Sequence, residues 1–142
     1  MNNAFTLHPQ LAADTTLVTD GPLSHVLLMN DARYPWLILV PRRPDLVDYD
    51  DLSAVDRKTL GDEVAAVSSV IKRRFDAFKT NVAMLGNMVP QLHCHVIGRF
   101  KDDAAWPGPV WGVGTAEPYD EDEGRDRLAA LRADLISAFK HL

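Results

Sequence analysis

Gln91, His93 and His95 stand at alternate positions in the run Gln91-Leu92-His93-Cys94-His95-Val96-Ile97. The residues between them are apolar or small, which is the pattern of a strand. Side chains on a strand alternate between faces. Gln91, His93, His95 and Ile97 therefore share one face. Leu92, Cys94, Val96 and Gly98 share the other, which is expected to be the packed side. Two imidazoles and an amide then stand about 7 Å apart along one strand. Burying such groups costs free energy unless each polar atom finds a partner.

Three chemistries compete for this arrangement. His-x-His alone fits two ordinary half-exposed strand residues as well as it fits a site. A metal centre needs more ligands than are offered: Cys94 points to the wrong face, and no Cys-x-x-Cys or His-x-x-x-His completes a set, so no metal and no other cofactor is expected. Nucleophilic catalysis is the third reading. A neutral imidazole is a good nucleophile near neutral pH because its unperturbed pKa is about 6.5. One ring nitrogen must then be tied to an acceptor so that the other presents its lone pair.

These residues need elements to hold them. Leu17-Val18-Thr19 reads as a short strand after a turn of helix at Pro9, and Asp20-Gly21-Pro22 closes it. Ser24–Asn30 and Trp36–Val40 are aliphatic runs separated by the polar Asn30-Asp31-Ala32-Arg33, which predicts an antiparallel hairpin. Ser53 has the form of an N-cap, with Asp56 three residues on. A long helix should follow to about Phe75–Phe78, with Leu52, Val55, Leu60, Val64, Val67, Val70, Ile71 and Phe75 as its apolar stripe. Asp62 and Glu63 are expected off that stripe. Asn81–Leu85 and Leu92–Phe100 flank a short loop and should pair antiparallel. Residues 102–118 are rich in Pro, Gly and Trp and should be irregular. A final amphipathic helix follows the acidic Asp120, with Leu128, Leu131, Leu135, Ile136 and Phe139 on one side. No strand–helix alternation runs through the chain. The fold class is therefore α+β with a mostly antiparallel sheet of about five strands.

The bulk numbers narrow the partners. The 142 residues, 46% hydrophobic and 25% charged, suit a single globular domain over 1–142, with a core at about 24–111 and a C-terminal helix at about 122–140. A net charge of −5 argues against a nucleic-acid polymer as partner. It leaves room for a mononucleotide, which needs only a few local donors. No apolar run is long enough for a membrane span, and Met1–Thr6 has no signal-peptide pattern. The single cysteine permits no internal disulfide, and a cytoplasmic, reducing location is expected.

The motif Gln91-Leu92-His93-Cys94-His95-Val96-Ile97 resembles the signature of the histidine triad (HIT) family, His-φ-His-φ-His-φ-φ with φ hydrophobic. The surrounding order of hairpin, long helix and leading strand is also similar, over roughly Ser24 to Trp111. The resemblance implies a HIT-like fold and a homodimer. It also implies an enzyme acting on a small-molecule nucleotide at its α-phosphate: a hydrolase or nucleotidyl transferase for nucleotide conjugates or dinucleoside polyphosphates. His93 would be the catalytic nucleophile that forms a nucleotidyl-histidine, and His95 would contact a phosphate oxygen. Gln91 stands where the family has its first histidine and would serve as an uncharged support. Tyr34-Pro35-Trp36 replaces a Pro-Gly-His found in many members, and Trp36 cannot carry a proton. By position, Asn30 and Asp31 would meet the ribose and Asn87 the phosphates. Each is equally explained as a turn residue. The two lost histidines leave an alternative, a nucleotide-binding sensor or scaffold with little turnover.

Outside the motif, Arg42, Arg43, Arg99 and Lys101 offer positive charge that surface solvation would equally explain. The Trp106–Trp111 loop either covers the leaving-group side of the site or simply packs. His8, His25 and His141 have no convincing partner in the sequence.

Overall fold

The computed structural model describes residues 4–142; Met1–Asn3, part of the N-terminal signal reading, lie outside the described residues. A short helix α1 (Pro9–Asp14) leads into strand β1 (Thr15–Asp20). The hairpin β2 (Ser24–Met29) and β3 (Trp36–Pro41) follows, then a turn of 3-10 helix at Tyr49–Asp51. The long helix α2 (Ala54–Phe75), strands β4 (Lys79–Ala83) and β5 (Cys94–Arg99), and helix α3 (Glu121–Phe139) complete the order. The strands form one antiparallel sheet in the order β1-β2-β3-β5-β4. This is the α+β architecture expected from the element order.

Local chemistry explains the helix ends. Ser53 Oγ accepts from Asp56 N at 3.1 Å, and Asp120 accepts from Glu123 N at 2.8 Å, each satisfying an orphan amide of a first turn. Helix α2 stops at Asp76, whose φ of 53° is left-handed. The stripe on α2 differs from expectation at two places. Val55 is 74% exposed, whereas Glu63 is wholly buried. Glu63 turns inward because it has donors there: Leu23 N, Ser24 N and Ser24 Oγ, at 2.8 to 3.0 Å. One carboxylate on the helix thus pins the turn between β1 and β2.

The sheet is covered on both sides. On one, α2 and α3 pack Leu60, Val67, Ile71, Leu131 and Leu135 against Leu37, Leu39, Cys94 and Val96. On the other, Trp36, Ile38 and Ile97 pack with Leu11 from α1 and Val110 from the loop after β5. Strand parity along β5 therefore separates two cores. Gly98 is required by the first of them. A Cβ there would lie 2.7 Å from Ile71 Cγ2 and 2.6 Å from Pro35 Cγ, so its absence lets α2 approach the sheet.

Strand boundaries shift from the sequence reading, most of all in β4 and β5. Strand β5 begins at Cys94, not Leu92, because Leu92 N bonds to Leu46 O at 2.9 Å while pairing with β3 ends at Leu39–Cys94. Strand β4 spans Lys79–Ala83, where it pairs from Lys79–Arg99 to Ala83–His95. No helix among the described residues is long and apolar enough to cross a membrane.

Candidate functional site

The start of β5 delivers two imidazoles into a place where water is scarce. His93 is 7% exposed and His95 6%, and their rings meet edge to face with centroids 4.9 Å apart. The rings thus stand closer together than the backbone repeat of about 7 Å between alternate strand residues.

Each ring is fixed by a partner of unambiguous polarity. His93 Nδ1 lies 2.6 Å from the Gln91 carbonyl oxygen. A carbonyl only accepts, so Nδ1 carries the proton, and in the neutral ring Nε2 presents the lone pair. His95 is set the opposite way. Trp36 Nε1, which can only donate, lies 3.0 Å from His95 Nδ1. That nitrogen is therefore bare, and in the neutral ring Nε2 holds the hydrogen. Burial first, and the adjacent His93 second, push the His95 pKa down to about 4, which keeps the ring neutral at neutral pH. Among the described residues, protein hydrogen bonds reach only the Nδ1 atoms of the pair. The result is a nucleophilic nitrogen beside an N–H donor.

Both rings line a cleft of about 320 Å³. Its walls are mainly apolar, from Leu11, Met29, Ile38, Leu85, Met88 and Val89. Trp111 closes one side, edge-on to His95 at 5.1 Å and to Trp36 at 6.0 Å. The polar wall groups besides the histidines are Asp14, Thr15 and Asn87. His93 also borders a second hollow, of about 290 Å³, formed with Asp48, Tyr49 and Asp50. A larger hollow of about 610 Å³ between α2 and α3 shares no lining residue with either.

The structure brings together His93, His95 and Asn87 of the residues singled out from sequence. Gln91 meets His93 through its backbone carbonyl. Its side chain faces the N-terminal segment, accepting from His8 N at 2.8 Å and donating to Thr6 O at 2.9 Å. Asn30 and Asp31 are not wall residues of the cleft. Asn30 Oδ1 accepts from Tyr119 N at 3.0 Å. Asp31 is buried, and both its oxygens accept from Arg33, at 3.0 and 2.9 Å. Burial would raise the Asp31 carboxyl, but these bonds outweigh it and hold it below its ordinary range. Arg99 is buried on Asp103, and Arg43 pairs with Asp56. His8 caps α1 by accepting from Gln10 N, and His25 pairs with Asp20. Sequence reasoning missed Trp36 as a donor and Leu11 and Thr15 as walls. A tryptophan facing the histidine side of a neighbouring strand was the available signal.

The chain has relatives among known proteins. The family model described as "HIT domain" matches residues 10–102. The crystal structure of a histidine triad protein from Bradyrhizobium japonicum is similar over 93% of this chain and 98% of that one, at 48% identity and a TM-score of 0.90. One from Marinobacter aquaeolei VT8 is 44% identical over 95% and 98% of the two chains, with a TM-score of 0.92. A third, from Sinorhizobium meliloti 1021, is 43% identical over 92% and 96%, with a TM-score of 0.89. No curated protein matches.

Proposed function

The chain belongs to the HIT domain family, and on that premise we propose that it is a nucleotide hydrolase or nucleotidyl transferase working through His93. The observation that carries this is the pair of opposed tautomers in one cleft: a bare Nε2 on His93 next to an Nε2–H on His95. Nε2 of His93 attacks the α-phosphorus of a nucleotide conjugate or dinucleoside polyphosphate, and the bond to the leaving group breaks. The positive charge left on the ring is held by the Nδ1–H bond to the Gln91 carbonyl. His95 donates to a phosphate oxygen as charge develops there. Water or another acceptor then takes the nucleotidyl group from Nε2, and the imidazole regains its lone pair.

Asn87, on the cleft wall, is proposed to contact the nucleotide. Asn30 and Asp31 follow the wall residue Met29 and are proposed to frame the ribose end, Asp31 through the turn it holds with Arg33. A homodimer through β4 is part of the same reading. Among the described residues that strand is paired on one side only, and Phe78, Val82 and Leu85 on or beside it are about half exposed, a pattern that a second copy would cover. A cytoplasmic location suits the one free thiol, Cys94.

The test is a trapped adduct. After brief reaction with AMP, GMP and UMP conjugates, mass spectrometry should find a nucleotidyl group on His93, and His93→Ala should lack it while still binding nucleotide. Tight binding with no adduct from any donor would instead make the protein a sensor.

A further inference from the structure

We propose that the Gln91 side chain is a positioning group for the N-terminal arm, residues 5–8, and that its grip on the arm seats α1 as a wall of the cleft. The inference rests on the function proposed above and concerns what keeps the cleft in shape.

The grip has two halves. Gln91 Oε1 accepts from His8 N at 2.8 Å, and Nε2 donates to Thr6 O at 2.9 Å. These two peptide groups flank Leu7, so the amide holds one residue of the arm from both sides. Such a side chain must donate at one atom and accept at the other. A primary amide does both, whereas a carboxylate only accepts and an ammonium only donates. Among the described residues, these two bonds are the only hydrogen bonds that tie residues 5–8 to a part of the chain beyond α1. Phe5 and Leu7 add apolar contact with the core on the histidine side of the sheet. A hollow of about 360 Å³ between the arm and residues 44–47 leaves that flank loosely packed.

The arm leads straight into the wall. His8 is the N-cap of α1, and its Nδ1 accepts from Gln10 N at 3.0 Å. With six residues, α1 is too short to stand alone. Its far end is fixed, because Thr15 pairs with Met29 in the sheet and Thr15 Oγ1 donates to Leu11 O at 2.6 Å. Its near end depends on His8, and His8 is held by Gln91. Leu11, Asp14 and Thr15 line the cleft together with His93 and His95.

The nucleophile is oriented without this side chain. The peptide group between Gln91 and Leu92 is held at both ends. Its carbonyl meets His93 Nδ1 at 2.6 Å, and its N–H donates to Leu46 O at 2.9 Å. The backbone of Gln91 therefore serves His93 while the amide serves the arm. Loss of the amide should loosen the wall, and the effect should fall on nucleotide binding far more than on the chemical step.

The experiment breaks the grip from each side. Gln91→Leu keeps the bulk and removes both halves. His8→Pro removes the N–H half from the arm, and the His8 φ of −55° is one that proline adopts. His8→Ala loses the cap but keeps the N–H, and is the control. Hydrogen exchange of the α1 amides should quicken by about tenfold or more in Gln91→Leu over the unmodified chain, and in His8→Pro over His8→Ala. Amides of β5 should stay protected. The Kd for AMP and the KM for an AMP conjugate should rise by about tenfold in the same comparisons, with a much smaller change in kcat. In a Gln91→Leu background, His8→Pro and His8→Ala should become equivalent, because the bond that separates them is already gone.

Unchanged α1 exchange in Gln91→Leu, or His8→Pro equal to His8→Ala in the unmodified background, overturns the grip. Faster exchange with an unchanged Kd for AMP overturns the role of the wall. A loss confined to kcat overturns the inference in favour of Gln91 as a support for His93. A chain that neither binds AMP nor cleaves its conjugate overturns the underlying function, and the exchange measurement still decides the grip.

Discussion

Strand β5 ends in a buried cation, Arg99, and two buried imidazoles, His93 and His95, stand at its start, and the two groups are finished differently. Arg99, 1% exposed, donates to Asp103 at 2.8 and 2.9 Å, to Asn81 Oδ1 at 2.7 Å and to Gly108 O at 2.8 Å. Its plane also faces the rings of Tyr34 and Trp106. Asp103 in turn accepts from the backbone amides of Phe100, Ala105 and Trp106. Burial alone would raise the Asp103 carboxyl, but the Arg99 and backbone bonds lower it. Among the described residues each histidine ring makes one protein hydrogen bond, His93 donating and His95 accepting through Nδ1. A polar group satisfied on every side holds the loop after β5 in place. A polar group satisfied on one side keeps an atom for something else. All three side chains are buried, so it is the completeness of the hydrogen bonding that separates scaffold from candidate site.

The difference can be tested by removing each kind of group. His93→Ala should lower turnover by about 10⁴-fold or more, with a circular dichroism spectrum and melting temperature close to those of the unmodified chain. Arg99→Met should do the reverse. It leaves Asp103 buried and uncompensated, at a cost of about 3–5 kcal/mol readable in urea unfolding, and its activity per folded molecule should fall far less. If Arg99→Met cost no stability, completeness of bonding would be a poor guide to structural role.

The pH dependence of stability bears on the imidazole end. In the unfolded chain an imidazole titrates near 6.5, whereas His95 in the fold titrates at about 4. Between these values the unfolded state holds the extra proton, so stability rises with pH across that window. The contribution of His95 is complete above about pH 6.5 and is lost as pH falls toward 4, by about 1.4 kcal/mol per pH unit. Unfolding midpoints for the unmodified chain and His95→Gln over this range should diverge with that slope. The smallest effect is expected at Tyr34. Its hydroxyl is buried with no hydrogen-bond partner among the described residues. Tyr34→Phe should leave the melting temperature unchanged or raise stability by about 1 kcal/mol.

The alternation of His93, Cys94 and His95 was enough to place the imidazoles on one face and the thiol on the other, because a strand has a period of two whatever surrounds it. The β2–β3 and β4–β5 pairings were legible for the same reason, together with short connections. What was not legible depended on distant partners. Glu63 reads as a surface residue until the β1–β2 turn brings Leu23 and Ser24 to it. Trp36 lies 59 residues from His95, and its role as donor needs the register that sets Trp36 against Ile97 and Ile38 against His95. The Gln91 amide turns to Thr6 and His8, a contact across more than eighty residues. Asp31 is the exception. Its partner Arg33 is two positions away, and an Asx turn closed by arginine was open to a closer reading.

Cys94 gives this arrangement a built-in clock. It is the chain's single thiol, it lies between the two histidines, it is 1% exposed, and burial pushes its pKa up to about 12. A closed sheet therefore offers a thiol reagent neither access nor thiolate. Labelling waits for the helices to lift from the face of the sheet that holds Cys94, and the rate of modification counts those openings at the residue between the two histidines. A bound nucleotide that bridges His93 and His95 would slow that count, so the silent cysteine reports on occupancy without any probe being added to the site.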